Sequence, residues 1–133
     1  MAEHLPMIEY AATIVPVRNV AATIAFYRET LEFEESGIAE DASFGIVKHG
    51  PAAVQLVHCD NEDVLKVTGK NISIYLSVKG VEALHERLKG KLIKLPEDRY
   101  RPLFDQPYGM REFHVKDPDG CLLFFGEEIA EGR

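Results

Sequence analysis

The sequence predicts an α+β fold made of two copies of the order strand, helix, strand, strand, strand, and three observations point to it. Apolar positions at strand and helix spacing occur in that order twice. The two strand-to-helix junctions align residue by residue, Val17-Arg18-Asn19-Val20-Ala21-Ala22 on Val78-Lys79-Gly80-Val81-Glu82-Ala83. Asp117-Pro118-Asp119-Gly120 is a strong turn signal that closes the second copy with a hairpin. At 133 residues the chain fits a single domain, 1–133, with one βαβββ unit over 9–59 and a second over 71–128. Each unit is expected to form a curved sheet with its helix on the outer face, leaving the other faces to line a shared cavity.

Over Glu9 to Val17, Ala11, Thr13, Val15 and Val17 point one way and Tyr10, Ala12, Ile14 and Pro16 the other, which is a strand. Asn19 is an N-cap type, and Val20, Ile24, Tyr27 and Leu31 recur at helical spacing behind it. Phe33 to Ile38, Ser43 to Lys48 and Ala52 to His58 are short strands, the last two joined by His49-Gly50-Pro51. Asp60 to Lys70 is mostly polar and reads as a linker. Ile72 to Val78 alternates as a strand, and Val81, Leu84 and Leu88 set a short helix closed by Gly90. Lys91 to Leu95 is expected to be a strand running into an irregular loop with Pro96, Pro102 and Pro107.

The hairpin from Gly109 to Gly126 pairs Phe113 and Val115, alternating with Glu112, His114 and Lys116, against the apolar run Cys121 to Phe125. If Gly120 takes the left-handed position of a three-residue loop, Asp117 faces Cys121 and His114 falls opposite Phe124. A two-residue loop would instead pair Phe113 with Phe124.

Composition narrows the function. A chain 46% hydrophobic and 28% charged is globular, and no apolar run approaches the roughly 20 residues of a membrane span. MAEHLPMIEY lacks the features of a signal peptide, so the cytoplasm is the expected location. Fifteen basic against 22 acidic residues give −7, which disfavours nucleic acid or an anionic membrane as partner and favours cations. Cys59 and Cys121 are too few for a zinc framework and read as free thiols. The five histidines do not cluster: His4, His49 and His85 are expected to be solvated and His58 structural. His114 is expected to contact ligand, or to act as a general base oriented by Glu112.

Four stretches carry a family likeness: IVPVRNVAATIAFYRETLEF, AEDASFGIVKHGPAAVQLVHCD, ISIYLSVKGVEAL and DQPYGMREFHVKDPDGCLLFFGEE, together spanning about Tyr10 to Glu128. With them the chain resembles the vicinal oxygen chelate superfamily of glyoxalases, bleomycin resistance proteins and dioxygenases, and QPYGMREF brings it nearest the bleomycin resistance proteins. Departures are Glu32 where the family usually ends its first helix with Gly, Cys121 for a common Asn, and Tyr108 at the position of a loop Trp. The resemblance implies that the metal ligands of the enzymes would fall on Ala12, Gln55, Ser73 and Phe124. Ala and Phe have no donor atom, Ser is a poor ligand and one neutral Gln does not hold a divalent ion, so neither metal nor other cofactor is expected.

The resemblance and the missing donors together imply a metal-independent protein that binds and sequesters a small molecule without chemistry, with a metal-dependent lyase or dioxygenase of the glyoxalase type as the alternative. Open sheet edges predict a homodimer. The ligand is expected to be planar and cationic, in a groove lined by Tyr108, Glu112, His114 and Phe124 with Phe44 and Gln55 contributing. Ser73 and Tyr75 share the cavity face by alternation, although Tyr75 is also readable as packing.

Overall fold

The computed structural model describes residues 5–129. The first four strands are β1 (Ala12–Val17), β2 (Glu34–Ile38), β3 (Phe44–His49) and β4 (Ala52–His58), with α1 (Val20–Leu31) between β1 and β2. Then come α2 (Glu62–Asn71), β5 (Ser73–Ser77), α3 (Val81–Leu92), a 3-10 turn (Glu97–Arg99), β6 (Tyr100–Asp105), β7 (Met110–Lys116) and β8 (Leu122–Glu128). They form two four-stranded sheets of identical plan, β1-β4-β3-β2 and β5-β8-β7-β6. In each, the first strand lies parallel to the last and the remaining neighbours are antiparallel. The α+β class and its two βαβββ halves are therefore as the sequence indicates.

Both units bury the helix-covered face of their sheet, and these faces merge. Val15, Val17, Val47, Val54 and Leu56 of the first sheet belong to one continuous core with Ile74, Phe113, Val115, Leu123 and Phe125 of the second. Helices α1 and α3 pack against each other within it, and the buried Tyr27 of α1 reaches across to donate to Asp117 Oδ2 at 3.4 Å. The opposite sheet faces lie outside this core, and large side chains on them are accessible, Ile14 by 60% and Tyr75 by 44%.

The two strand-to-helix junctions are capped differently. Asn19 accepts from the Ala22 amide at 2.9 Å. Gly80, at φ +82, has no side chain to do so, and the carboxylate of Glu127 accepts from the Gly80 and Val81 amides at 3.0 Å each. At the other end of α1, Glu32 takes the left-handed conformation (φ 62) that a Gly adopts without strain.

Five sequence expectations are corrected. Asp60 to Lys70 is no linker, since Glu62–Asn71 is helix α2, started by Asn61 accepting from the Asp63 and Val64 amides and buried through Leu65 and Thr68. Gly90 does not end α3, which continues to Leu92 because Leu88 and Leu92, four residues apart, both enter the core; no strand forms over Lys91 to Leu95. The segment around Pro102 is an edge strand, β6, in which the proline's missing donor is accommodated by a register shift between Arg101 and Phe104. Strand β1 begins at Ala12 and not at Glu9: its pairing with β4 starts at Ala12 opposite Ala53.

Candidate functional site

The turn at Asp117 to Gly120 fixes the site's register. Gly120 stands at φ +92, the Asp117 amide donates to the Cys121 carbonyl at 2.9 Å, and the three-residue loop sets His114 opposite Phe124. Alternation then brings one row of side chains across the open face of the second sheet: Tyr75, Phe124, His114 and Arg101. The rings of Tyr75, Phe124 and His114, with that of Phe104, form a continuous surface. Tyr75 stacks on Phe124 at 5.8 Å, Phe124 meets His114 at 4.2 Å, and His114 meets the edge of Phe104 at 5.0 Å.

Beneath this surface lies Glu112, a carboxylate with 0% exposure. Its Oε1 accepts from Gln106 Nε2 at 3.0 Å and from His114 Nε2 at 2.8 Å. Its Oε2 accepts from the hydroxyls of Tyr75 and Tyr108, both at 2.9 Å. A carboxylate has about four lone-pair directions, so this one is saturated. Burial would raise its pKa, but the four hydrogen bonds, led by that from His114, outweigh burial and hold it below the ordinary value. Because an ionised carboxylate only accepts, the His114 Nε2 must carry hydrogen, which leaves Nδ1 as the ring's free nitrogen. The phenols of Tyr75 and Tyr108 are pushed upward, first by burial and then by their bond to Glu112, and so remain donors.

Two glycines permit this geometry. A Cβ on Gly126, opposite Glu112, would stand 1.9 Å from the Tyr75 hydroxyl oxygen, so only Gly leaves room for the ring to reach the carboxylate. Gly109, at φ +87, turns the chain from Tyr108 into β7, with the Gln106 amide bonded to the Met110 carbonyl at 2.7 Å. That turn presents Tyr108, 60% exposed, as a plate whose hydroxyl is anchored while its ring faces solvent.

The sequence-derived residues divide into two groups. Tyr75, Tyr108, Glu112, His114 and Phe124 come together on the second sheet. Ser73 shares that face but lies two residues along β5, opposite Leu122. Phe44 and Gln55 belong to the open face of the first sheet, where Gln55 is flanked by Ile14 and Ile46. Among the described residues no hydrogen bond or ring contact links them to the Glu112 group. Gln106 and Gly126 are site residues that sequence reasoning misses; Gln106 lies within QPYGMREF, and its side chain is the fourth donor. His85, expected to be solvated, is instead bonded through Nε2 to the Tyr100 hydroxyl at 2.6 Å and packed on Phe113. His4 lies outside the described residues.

The residues do not fit a divalent ion. Ala12 and Phe124 offer no donor, and the nearest carboxylate, Glu112, has no lone pair unclaimed. No group of three or more His, Cys, Asp or Glu that could hold a metal occurs among the described residues. No helix there is long and apolar enough to cross a membrane.

Comparison with known proteins agrees with this architecture. The family model for the Glyoxalase/Bleomycin resistance protein/Dioxygenase superfamily matches residues 8–125. Among solved structures, the chain is similar to the bleomycin-binding protein of bleomycin-producing Streptomyces verticillus, in its complex with copper(II)-bleomycin, at 24% identity and TM-score 0.73, covering 94% of this chain and 100% of that one. It is similar to the bleomycin resistance determinant encoded on transposon Tn5 at 21% identity and TM-score 0.72, covering 91% and 98%. A lactoylglutathione lyase from Agrobacterium tumefaciens matches at 16% identity and TM-score 0.65, covering 92% and 96%. Among curated proteins no relative matches. At these identities the structural likenesses establish the fold, which binders and lyases share.

Proposed function

The chain belongs to the Glyoxalase/Bleomycin resistance protein/Dioxygenase superfamily, and within it we propose that this protein binds a planar, cationic small molecule and sequesters it without chemistry. The observation that carries this reading is the saturated Glu112 under a half-exposed aromatic surface. Glu112 does not touch the ligand in this reading. Its charge passes through the phenols of Tyr75 and Tyr108 into rings whose faces become more attractive to a cation, and its four bonds hold those rings in place before the ligand arrives. A cation over such a ring contributes about 0.5–2 kcal/mol. The net charge of −7 adds a longer-range attraction that decays over a Debye length of roughly 8–10 Å.

Support at the level of fold comes from the bleomycin-binding neighbours. The lyase alternative has no donor atom at Ala12 and Phe124, two of the four positions where the resemblance would place a metal ligand. We propose further that the protein is a homodimer, in which the first sheet of one copy covers the second sheet of the other and so brings Phe44 and Gln55, with Ser73, to the groove.

Calorimetric titration with metal-free bleomycin at low and high salt tests the reading. Binding is expected to weaken with salt and to fall about tenfold in Tyr108→Ala. No binding, or binding indifferent to both, overturns it.

A further inference from the structure

Arginines in this acidic chain are matched with carboxylates almost throughout. Arg18 pairs with Glu62 and Asp119, Arg28 with Glu29 and Glu35, Arg87 with Glu32, and Arg111 with Asp105 and Glu82. The other two described arginines, Arg99 and Arg101, have no carboxylate partner among the described residues. Both line one cavity of about 710 Å³ between the 3-10 turn, β6 and the end of β7, and Lys116 lines it too.

Arg99 is committed structurally. Its Nε and Nη2 donate to the Lys116 carbonyl at 3.2 and 3.0 Å, and its guanidinium lies over Phe26 at 5.2 Å. Arg101 differs, because its guanidinium is stacked 3.4 Å from the Phe104 ring centre and no described residue accepts a hydrogen bond from it. A stacked guanidinium has its plane fixed and its N–H edges free, which is the state suited to a two-oxygen acceptor. Lys116 makes no side-chain ion pair among the described residues. It lies on the same face of β7 as His114, the cross-strand partner of Arg101. The remaining wall is largely apolar, formed by Ile93, Leu95, Tyr100, Pro102 and Leu122, with His114 shared with the aromatic surface. Glu97 and Asp98 also line the cavity; both are exposed in the 3-10 turn, as Arg101 is on β6, and neither pairs with Arg101 or Lys116 among the described residues.

We propose that this cavity is a second ligand subsite, which takes a carboxylate carried on an apolar body through Arg101 and Lys116. It goes beyond the planar-cation reading and does not rest on it. The carboxylate accepts from the edge of Arg101 and from the Lys116 ammonium, while the body lies along Ile93, Leu95 and Pro102. An inorganic anion would satisfy the two cations and leave the apolar wall unused.

The test is an NMR titration of the full chain with benzoate, with its neutral isostere benzamide, and with inorganic phosphate. Benzoate is expected to bind about tenfold tighter than benzamide, the difference made by hydrogen bonds to charged groups. Arg101→Gln and Lys116→Gln are each expected to reduce benzoate binding to near the benzamide level. Arg101→Lys, which retains charge and tests that the fold survives, is expected to recover part of the loss. Lys48→Gln, which removes a charge from the first sheet, is expected to change nothing. Equal binding of benzoate and benzamide, or benzoate binding unaltered in both Gln variants, overturns the proposal. Phosphate displacing benzoate at equal concentration overturns its apolar half. The cationic ligand is tested with a different probe and through Tyr108, so either reading can fail alone.

Discussion

Two buried carboxylates separate the roles that one residue type can play. Glu112 has four donors and a depressed pKa, whereas Asp117 has fewer and is raised. Glu112→Gln replaces an acceptor-only group by one with a single accepting oxygen, so two of the four donors lose their partner. We expect a loss of about 1–3 kcal/mol in denaturant unfolding, with weaker binding of the cationic probe because Tyr108 is no longer anchored. The stability due to Glu112 is present above the ordinary carboxylate pKa and is lost as pH falls through its lower folded value. Asp117 behaves in the opposite sense. Burial pushes it to about 6, against the amides of Cys121 and Asp119 and the Tyr27 hydroxyl, which act to lower it. The folded state thus holds more protons than the unfolded chain between roughly pH 4 and 6, and stability declines as pH rises through that window, by about 3 kcal/mol from this residue. Asp117→Asn keeps an oxygen for both amides and is expected to remove that decline. Urea midpoints measured between pH 4 and 7 check it, and an unchanged slope would count against the assignment.

Elements differ in how openly the sequence announces them. The hairpin is legible because Asp-Pro-Asp-Gly has a local cause for every position, and that turn alone sets the facing of His114 and Phe124. Helix α2 is hidden because its residues are mostly polar and only Leu65 and Thr68 are buried; its start at Asn61-Glu62-Asp63 is the available signal. Strand β6 is hidden by Pro102, whose accommodation depends on an edge position and a register shift that only the assembled sheet reveals. With β6 unread, Arg101 and Phe104 have no assignable face. Gly69 links α2 to the hairpin, since a Cβ there would stand 2.7 Å from the Asp119 carbonyl oxygen. Gly69→Ala would gain about 1 kcal/mol in helix propensity, but backbone cannot yield as a side chain does. Overpacking of about 1–3 kcal/mol should win, lowering the urea midpoint. A raised midpoint would mean that α2 is free to move off the turn.

Across the chain as a whole, duplication is readable from the aligned junctions, while the joining of the two halves is not. One core formed from both helix-covered faces depends on contacts such as Tyr27 with Asp117, 90 residues apart in sequence. The consequence is that Phe44 and Gln55 stand on a different sheet from the aromatic surface. The proposed homodimer resolves this, and light scattering at micromolar concentration should give twice the chain mass of 14.9 kDa; a monomer would remove Phe44 and Gln55 from the site.

A planar cation lying on the rings held by Glu112 would be seen in intermolecular nuclear Overhauser effects between metal-free bleomycin and the protein. Cross-peaks are expected from the ring protons of Tyr75, Tyr108 and Phe124 to the ligand's planar group. Cross-peaks confined to residues of the first sheet, with none from these three rings, would show that the ligand lies elsewhere and that the Glu112 cluster does not bind it.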